Sequence, residues 1–285
     1  MPIAFLNNEF MPDAEVRISP FDRGFLFADS IYEVMPCYRG KLFRFDEHMD
    51  RMAHSLEVVR ISNPYTRDQW RALFMDMIAR NAAELGKDIG VYVQVSRGNP
   101  GCRQHVAMEK IAPTVFACAS RLLHRALEDI HPTQAVVCED IRWGRCDVKA
   151  NIILPNVMAR QMAQDQGASE ALLNRNGKIY EAASSNLFLV KDNVIITASK
   201  SHYLLGGITR DLVVELLEQQ GEQLDFRPID PEELFTADEL WLTSTNRQIQ
   251  PLTCVDGNII NHGQVGPVWQ RTIAAFYTYL QEQIQ

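Results

Sequence analysis

The sequence predicts an α+β or mixed-barrel fold and argues against a doubly wound parallel sheet. Two observations carry this. Strand-like runs follow one another along the chain, and hairpin turns such as Asn176-Gly177 and Asp192-Asn193 join them. At 285 residues the chain has room for roughly two domains of about 150 residues each.

The opening reads as short strands, Ala4 to Leu6 before an Asn7-Asn8 turn and Ile31 to Cys37 closed by Arg39-Gly40. Met49, Met52, Ala53, Leu56 and Val59 fall on one face of a helix over 46–60. Thr66 and Gln69 form a capping box for a second helix, whose apolar face carries Trp70, Leu73, Phe74 and Met77. Strands are expected at 89–97 and 113–119. The stretch from Ser120 to Arg125 then reads as a connection, placing domains at 1–120 and 126–285 with 121–125 between them, although no Gly or Pro cluster marks it. In the second half a strand is expected near 134–138. Helices are expected at 153–166, 209–220 and 267–283, the last with a stripe of Trp269, Ile273, Phe276 and Leu280.

Composition excludes several classes. The chain is 46% hydrophobic and 22% charged, ordinary globular usage, so disordered and fibrous classes drop out. A formal charge of −8 argues against nonspecific nucleic-acid binding and against an anionic membrane surface. No apolar run reaches the ~20 residues of a spanning helix, and the first residues lack the basic and apolar regions of a signal peptide. Cys37, Cys102, Cys118, Cys138, Cys146 and Cys254 are scattered without a C-x-x-C pair, which fits reduced thiols rather than a zinc site. The expectation is a cytoplasmic protein with no metal.

Among the few lysines, Lys149 alone leads into an apolar run, Ala150-Asn151-Ile152-Ile153-Leu154. Desolvation favours the neutral, nucleophilic form of an amine, which imine chemistry requires; a lysine whose stem packs while its head reaches water meets the same pattern. Gly206-Gly207-Ile208-Thr209 runs into a helix, with Thr209 as the expected N-cap, and free N–H groups there suit a phosphate. An ordinary capped loop reads the same way. Thr243-Ser244-Thr245 offers further hydroxyls. Glu181 precedes Ala182-Ala183-Ser184-Ser185-Asn186 and could face a pyridine nitrogen or be a solvated loop acid. Arg103 and His105, two residues apart, could clamp a carboxylate or be a surface basic pair.

Taken in order, these segments resemble a known family. Phe21-Asp22-Arg23-Gly24-Phe25-Leu26-Phe27-Ala28-Asp29-Ser30-Ile31-Tyr32-Glu33 is similar to the opening motif of fold-type IV pyridoxal-phosphate enzymes. Glu47-His48-Met49-Asp50-Arg51, the run from Glu139 to Lys149, Glu181 with Ser184-Ser185-Asn186, Gly207-Ile208-Thr209-Arg210-Asp211 and Thr243-Ser244-Thr245 follow at the family's spacing. The resemblance covers essentially the whole chain. It implies a smaller N-terminal α/β domain, a larger C-terminal α/β pseudobarrel domain, and a homodimer. It also implies pyridoxal 5'-phosphate as cofactor, with Lys149 as the aldimine-forming lysine and Glu181 at the pyridine nitrogen. Arg51, Ile208, Thr209 and Thr245 fall at the phosphate, Leu205 against the ring and Ser184 in the loop beside it.

Tyr32, Arg103 and His105 match the carboxylate trap of the D-amino-acid aminotransferases of that family. The implied reaction is transamination between a D-amino acid of the D-alanine type and a 2-oxo acid such as 2-oxoglutarate, with Lys149 moving a proton from Cα to the cofactor. The same fold also hosts branched-chain L-amino-acid aminotransferases and aminodeoxychorismate lyases, and a noncatalytic pyridoxal-phosphate-binding module is an alternative of another class. Ala28 and Ser30 stand where the family usually has glycine, and Ala182-Ala183 replaces a Gly-Ser pair. The segment Arg97 to Arg103 is one residue longer than the family pattern, which predicts a shifted carboxylate trap.

Overall fold

The computed structural model describes residues 1–107, 111–122 and 127–284. By contacts the chain divides into two compact units, one of Met1–His124 with Val148–Ile152, the other of Arg125–Asp147 with Ile153–Gln283. Part of the connection expected at 121–125 lies outside the described residues. The division is not contiguous, because residues 148–152 belong with the first unit.

The first unit holds β1 (Ile3–Leu6), β2 (Glu9–Pro12), α1 (Arg23–Phe27), β3 (Ser30–Tyr38), β4 (Lys41–Leu42), α2 (Phe45–Val59), α3 (Arg67–Leu85), β5 (Ile89–Ser96) and β6 (Thr114–Arg121). Its strands form one antiparallel sheet in the order β2-β1-β6-β5-β3-β4. The expected capping box starts α3, where the Thr66 side chain accepts from the Gln69 N–H and the Gln69 side chain accepts from the Thr66 N–H. Met49, Met52 and Leu56 of α2 and Trp70, Leu73, Phe74 and Met77 of α3 share a core with Val91, Val93 and Val95 of β5. Ala53, expected on that face, is exposed, while the polar His48 and Ser55 are buried there instead.

Residues 148–152 lie antiparallel along the start of β3. Tyr32 N donates to Lys149 O at 3.0 Å, Asn151 N donates to Ser30 O at 3.1 Å, and Ile31 bridges Ala150.

The second unit holds β7 (Thr133–Glu139), α4 (Leu154–Asp165), β8 (Glu170–Arg175), β9 (Lys178–Ala182), β10 (Asn186–Lys191), β11 (Val194–Thr197), α5 (Ile208–Gln219), β12 (Gln223–Phe226), β13 (Glu239–Ser244), β14 (Gln248–Val255), β15 (Asn258–Ile259) and α6 (Pro267–Ile284). The sheet order is β12-β11-β10-β13-β14-β7-β8-β9, with β15 on β14. The pairs β7/β8 and β11/β12 are parallel, and helices α4 and α5 make their crossovers. β14 also pairs in parallel with β7, while the hairpins at Asn176-Gly177 and Asp192-Asn193 are antiparallel as expected. Trp269, Ile273, Phe276 and Leu280 are all buried, and Glu239 caps α6 by accepting from the N–H groups of Val268 and Trp269 at 2.8 and 2.7 Å.

The sequence pattern missed α1, whose five residues are too few for an apolar stripe. Asp22 caps it, accepting from Gly24 N at 2.8 Å, and Ala28 ends it at φ 53°. This left-handed backbone explains why glycine is usual at position 28, since a Cβ there costs about 1–2 kcal/mol. Ala182 and Ala183 need no such backbone. Ala28→Gly is expected to raise stability to urea by about 1 kcal/mol, the lost strain being partly offset by the freer unfolded chain; a lower unfolding midpoint would show that the methyl group contributes packing that outweighs its strain.

Candidate active site

Lys149 is half-buried in the first unit, held by its backbone rather than by its side chain. Its carbonyl accepts from Tyr32 N, and its N–H donates to the Ser55 hydroxyl at 3.1 Å. The Nζ sits 4.1 Å from the centre of the Tyr32 ring, and that ring stacks on Tyr92 at 5.6 Å. Two residues on, Asn151 is fixed from three sides. The Ser30 hydroxyl donates to its Oδ1 at 2.9 Å, and its Nδ2 donates to the Tyr92 hydroxyl at 3.0 Å and to Gln94 Oε1 at 3.3 Å. Serine at position 30 thus supplies an anchor that glycine would lack.

Arg51, on α2 in the same unit, grips Glu33 with two of its nitrogens. Nε donates to Oε1 at 2.7 Å and Nη2 donates to Oε2 at 2.8 Å. His48 Nδ1 lies 3.0 Å from Glu33 Oε2. Burial resists a charge on Glu33, but Arg51 and His48 outweigh it and hold the carboxyl well below the usual range. Burial also pushes the His48 imidazole below its ordinary value, with Glu33 only partly compensating, so the pair's positive charge resides on Arg51.

Arg103 and His105 are exposed in the same unit, each close to the Phe27 ring. The Arg103 guanidinium lies 5.3 Å from the ring centre, and the His105 ring 5.5 Å. Among the described residues, no hydrogen bond or ring contact joins Tyr32 to either of them.

The second unit carries Glu181, Ser184, Leu205, Ile208, Thr209 and Thr245. Glu181 Oε1 accepts from Arg142 Nη1 at 2.6 Å, and Oε2 accepts from Leu205 N at 3.0 Å and from Asn186 Nδ2 at 3.3 Å. Burial pushes this carboxyl up to about 7, against the pull of Arg142. Arg142 is itself shared with Asp140, which Arg142 and Arg175 hold down to about 2 in spite of burial. Thr209 is buried in the first turn of α5, one residue inside the helix rather than at its N-cap. The N-cap is Gly207, extended at φ −74° and without a side-chain cap. A Cβ on Gly207 would lie 2.1 Å from Asn186 Oδ1, so only glycine lets the Leu205–Gly207 segment close onto Asn186. Ser184 is exposed and donates to Glu170 Oε2 at 2.6 Å, and Thr245 is half-buried in the turn after β13.

These residues fit a phosphorylated pyridine cofactor. Glu181 spends three of about four acceptor sites, leaving one for a ring N–H, and a cation there offsets the burial that raises its pKa. The first turn of α5 presents N–H groups that no side chain caps, beside a buried hydroxyl. Glu33, His48, Asp140 and Arg142 lie within the family-like motifs, but the sequence alone assigns them no role. The Asp140-x-Arg142 spacing is a signal for their pairing, whereas the Glu170 contacts have none. Among the described residues, no cluster of His, Cys, Asp or Glu suits a metal ion, and no helix is long and apolar enough to cross a membrane.

Residues 30–255 match the family model for amino-transferase class IV, and the chain belongs to that family, whose enzymes depend on pyridoxal 5'-phosphate. It is 33% identical over 288 residues to a D-alanine aminotransferase of Staphylococcus epidermidis, covering 99% of both chains. Its fold matches the branched-chain amino acid aminotransferase of Escherichia coli with a TM-score of 0.87 at 24% identity, over 97% of this chain and 93% of that one. It also matches the enzyme of Thermobaculum terrenum in its pyridoxal-phosphate form, with a TM-score of 0.85 at 22% identity, over 99% and 95% of the two chains.

The Glu181 carboxyl has a consequence for stability. The unfolded chain releases this proton near 4.5 and the folded chain near 7, so the folded state binds more protons in between. Stability of the cofactor-free protein therefore falls through this group as pH rises from about 4.5 to about 7. Urea titrations should show Glu181→Gln gaining stability relative to the parent across that window; a constant difference from pH 4 to 8 would mean that Glu181 has an ordinary pKa.

Proposed function

We propose that this aminotransferase transfers the amino group of a D-amino acid of the D-alanine type to a 2-oxo acid such as 2-oxoglutarate. The observation that carries the substrate reading is the Arg103–His105 pair, both side chains close to the Phe27 ring, a forked cation and an imidazole suited to one carboxylate. The D-alanine aminotransferase relatives support it. The solved branched-chain enzymes, at 22 to 24% identity, speak for the fold alone.

Bound pyridoxal 5'-phosphate supplies an aldehyde that condenses with amines and a ring that accepts the electron pair left when a proton leaves Cα. In this reading Lys149 Nζ takes the proton from the substrate's Cα and gives it back two atoms away, one amine serving both directions in turn. The Tyr32 ring orients that amine. Glu181 holds a proton on the pyridine nitrogen, and Arg142 holds Glu181 in place. Ile208 and Thr209 on α5, with Arg51 and Thr245, take the phosphate, Leu205 packs on the ring, and the Ser184 loop stands beside it. Tyr32 joins Arg103 and His105 at the substrate carboxylate. The reading includes a homodimer, supported by Leu154, Val157 and Met158, which expose one apolar stripe of α4.

The visible spectrum of the holoenzyme tests this reading. The cofactor band is expected to bleach on adding D-alanine and to persist in a parallel cuvette with L-leucine; bleaching by L-leucine alone would give the chain a branched-chain L-substrate. Arg103→Ala should raise KM for D-alanine about tenfold or more, the range for losing a charge-assisted bond. An unchanged KM would remove Arg103 from the site.

A further inference from the structure

The Arg103–His105 pair lies on the connection between β5 and β6, and one buried residue, Arg23, holds that connection at Gly98 and again at Gln104 and His105. Arg23, in the first turn of α1, donates its backbone N–H to Gly98 O at 3.0 Å, where the loop leaves β5. Its guanidinium reaches further along the connection, with Nη1 donating to Gln104 O at 2.5 Å and Nη2 donating to His105 O at 3.0 Å. The remaining nitrogen, Nε, donates to Asp29 Oδ2 at 2.7 Å. Asp29 is in turn gripped by Arg97, whose Nε and Nη2 donate to it at 2.7 and 2.9 Å while its guanidinium also binds the carbonyls of Val59 and Arg60 at the end of α2. Between the fixed ends the chain makes a tight turn, in which Asn99 Oδ1 accepts from Gly101 N at 2.8 Å and Gly101 has φ +75°. The same short helix also supplies Phe27, four residues after Arg23 and on the same side, as the ring that Arg103 and His105 both approach.

We propose that Arg23, held by Asp29, is the positioning residue for substrate-carboxylate binding: it fixes the backbone of Gln104 and His105 so that Arg103 and His105 are presented together. The inference rests on the carboxylate role of that pair given above. Arg103 is exposed and long, and ordering such a side chain at the moment of binding costs affinity unless its backbone is already fixed. A planar fork that binds two successive carbonyls provides that fixation, and a lysine does not.

The test is steady-state kinetics of the holoenzyme with D-alanine for the parent, Arg23→Met, Arg103→Ala and the double variant. Arg23→Met is expected to raise KM about tenfold, the order of a lost charge-assisted contact, with kcat and the cofactor band changed by less than about twofold. In the Arg103→Ala background it should add clearly less than its full tenfold, because only the share that acts through His105 remains. Arg23→Lys, which keeps the charge beside Asp29 without the fork, should raise KM in the same way and carries the test if the Met variant does not fold. A KM unchanged in Arg23→Lys overturns the proposal, as does a full additive penalty in the Arg103→Ala background or a loss confined to kcat and cofactor retention. An unchanged KM in Arg103→Ala itself instead brings down the carboxylate reading on which the proposal stands.

Discussion

The structure depends on a short stretch of backbone pairing, residues 148–152 laid along the start of β3. Two hydrogen bonds, from Tyr32 N to Lys149 O and from Asn151 N to Ser30 O, take these residues into the first unit although their neighbours on both sides belong to the second. Because the backbone is fixed at Lys149 itself, the side chain emerges in one direction, beside Tyr32. The Asn151 contacts with Ser30, Tyr92 and Gln94 keep the pairing from slipping by a residue, which would turn Lys149 to the other face. In the proposed role the Lys149 amine would bond and release a partner repeatedly, with no permanent side-chain anchor to spare, and its position is set by the main chain.

Two buried carboxylates, each against an arginine, show how the number of paired charges sets acid strength. Glu33 receives two nitrogens of Arg51 and a contact from His48, and its carboxyl stays ionised. Glu181 receives one nitrogen of an arginine that also serves Asp140, and burial wins, raising it to about 7. In the first, the carboxylate's charge is fully matched by the arginine it faces. The second retains an appetite for one more cation, the property a partner for a pyridine nitrogen requires.

Much of this was readable from residue order. The capping box at Thr66 and Gln69, the buried stripe from Trp269 to Leu280 and the Asn-Gly and Asp-Asn hairpins follow from periodicity and turn chemistry, and each is found in place. The family motifs likewise marked the segments around Arg51, Lys149, Glu181 and Gly207. What order alone could not supply is distance across the chain. Nothing in the local pattern pairs Asn151 with Ser30, Arg23 with Gln104 and His105, or Glu170 with Ser184, because each contact joins residues 14 to 121 positions apart, a distance local periodicity does not encode. Thr209 was displaced from the N-cap for a similar reason. The N-cap falls two residues earlier, at Gly207, whose close packing on Asn186 involves a strand more than twenty residues away.

The most direct test of the account is chemical labelling at Lys149. Borohydride reduction of the holoenzyme fixes the cofactor irreversibly to whichever amine it is bonded to, and peptide mapping by mass spectrometry then locates it. The account predicts a single modified peptide carrying the group on Lys149. Modification at Lys178, Lys200 or another lysine, with Lys149 untouched, would contradict it.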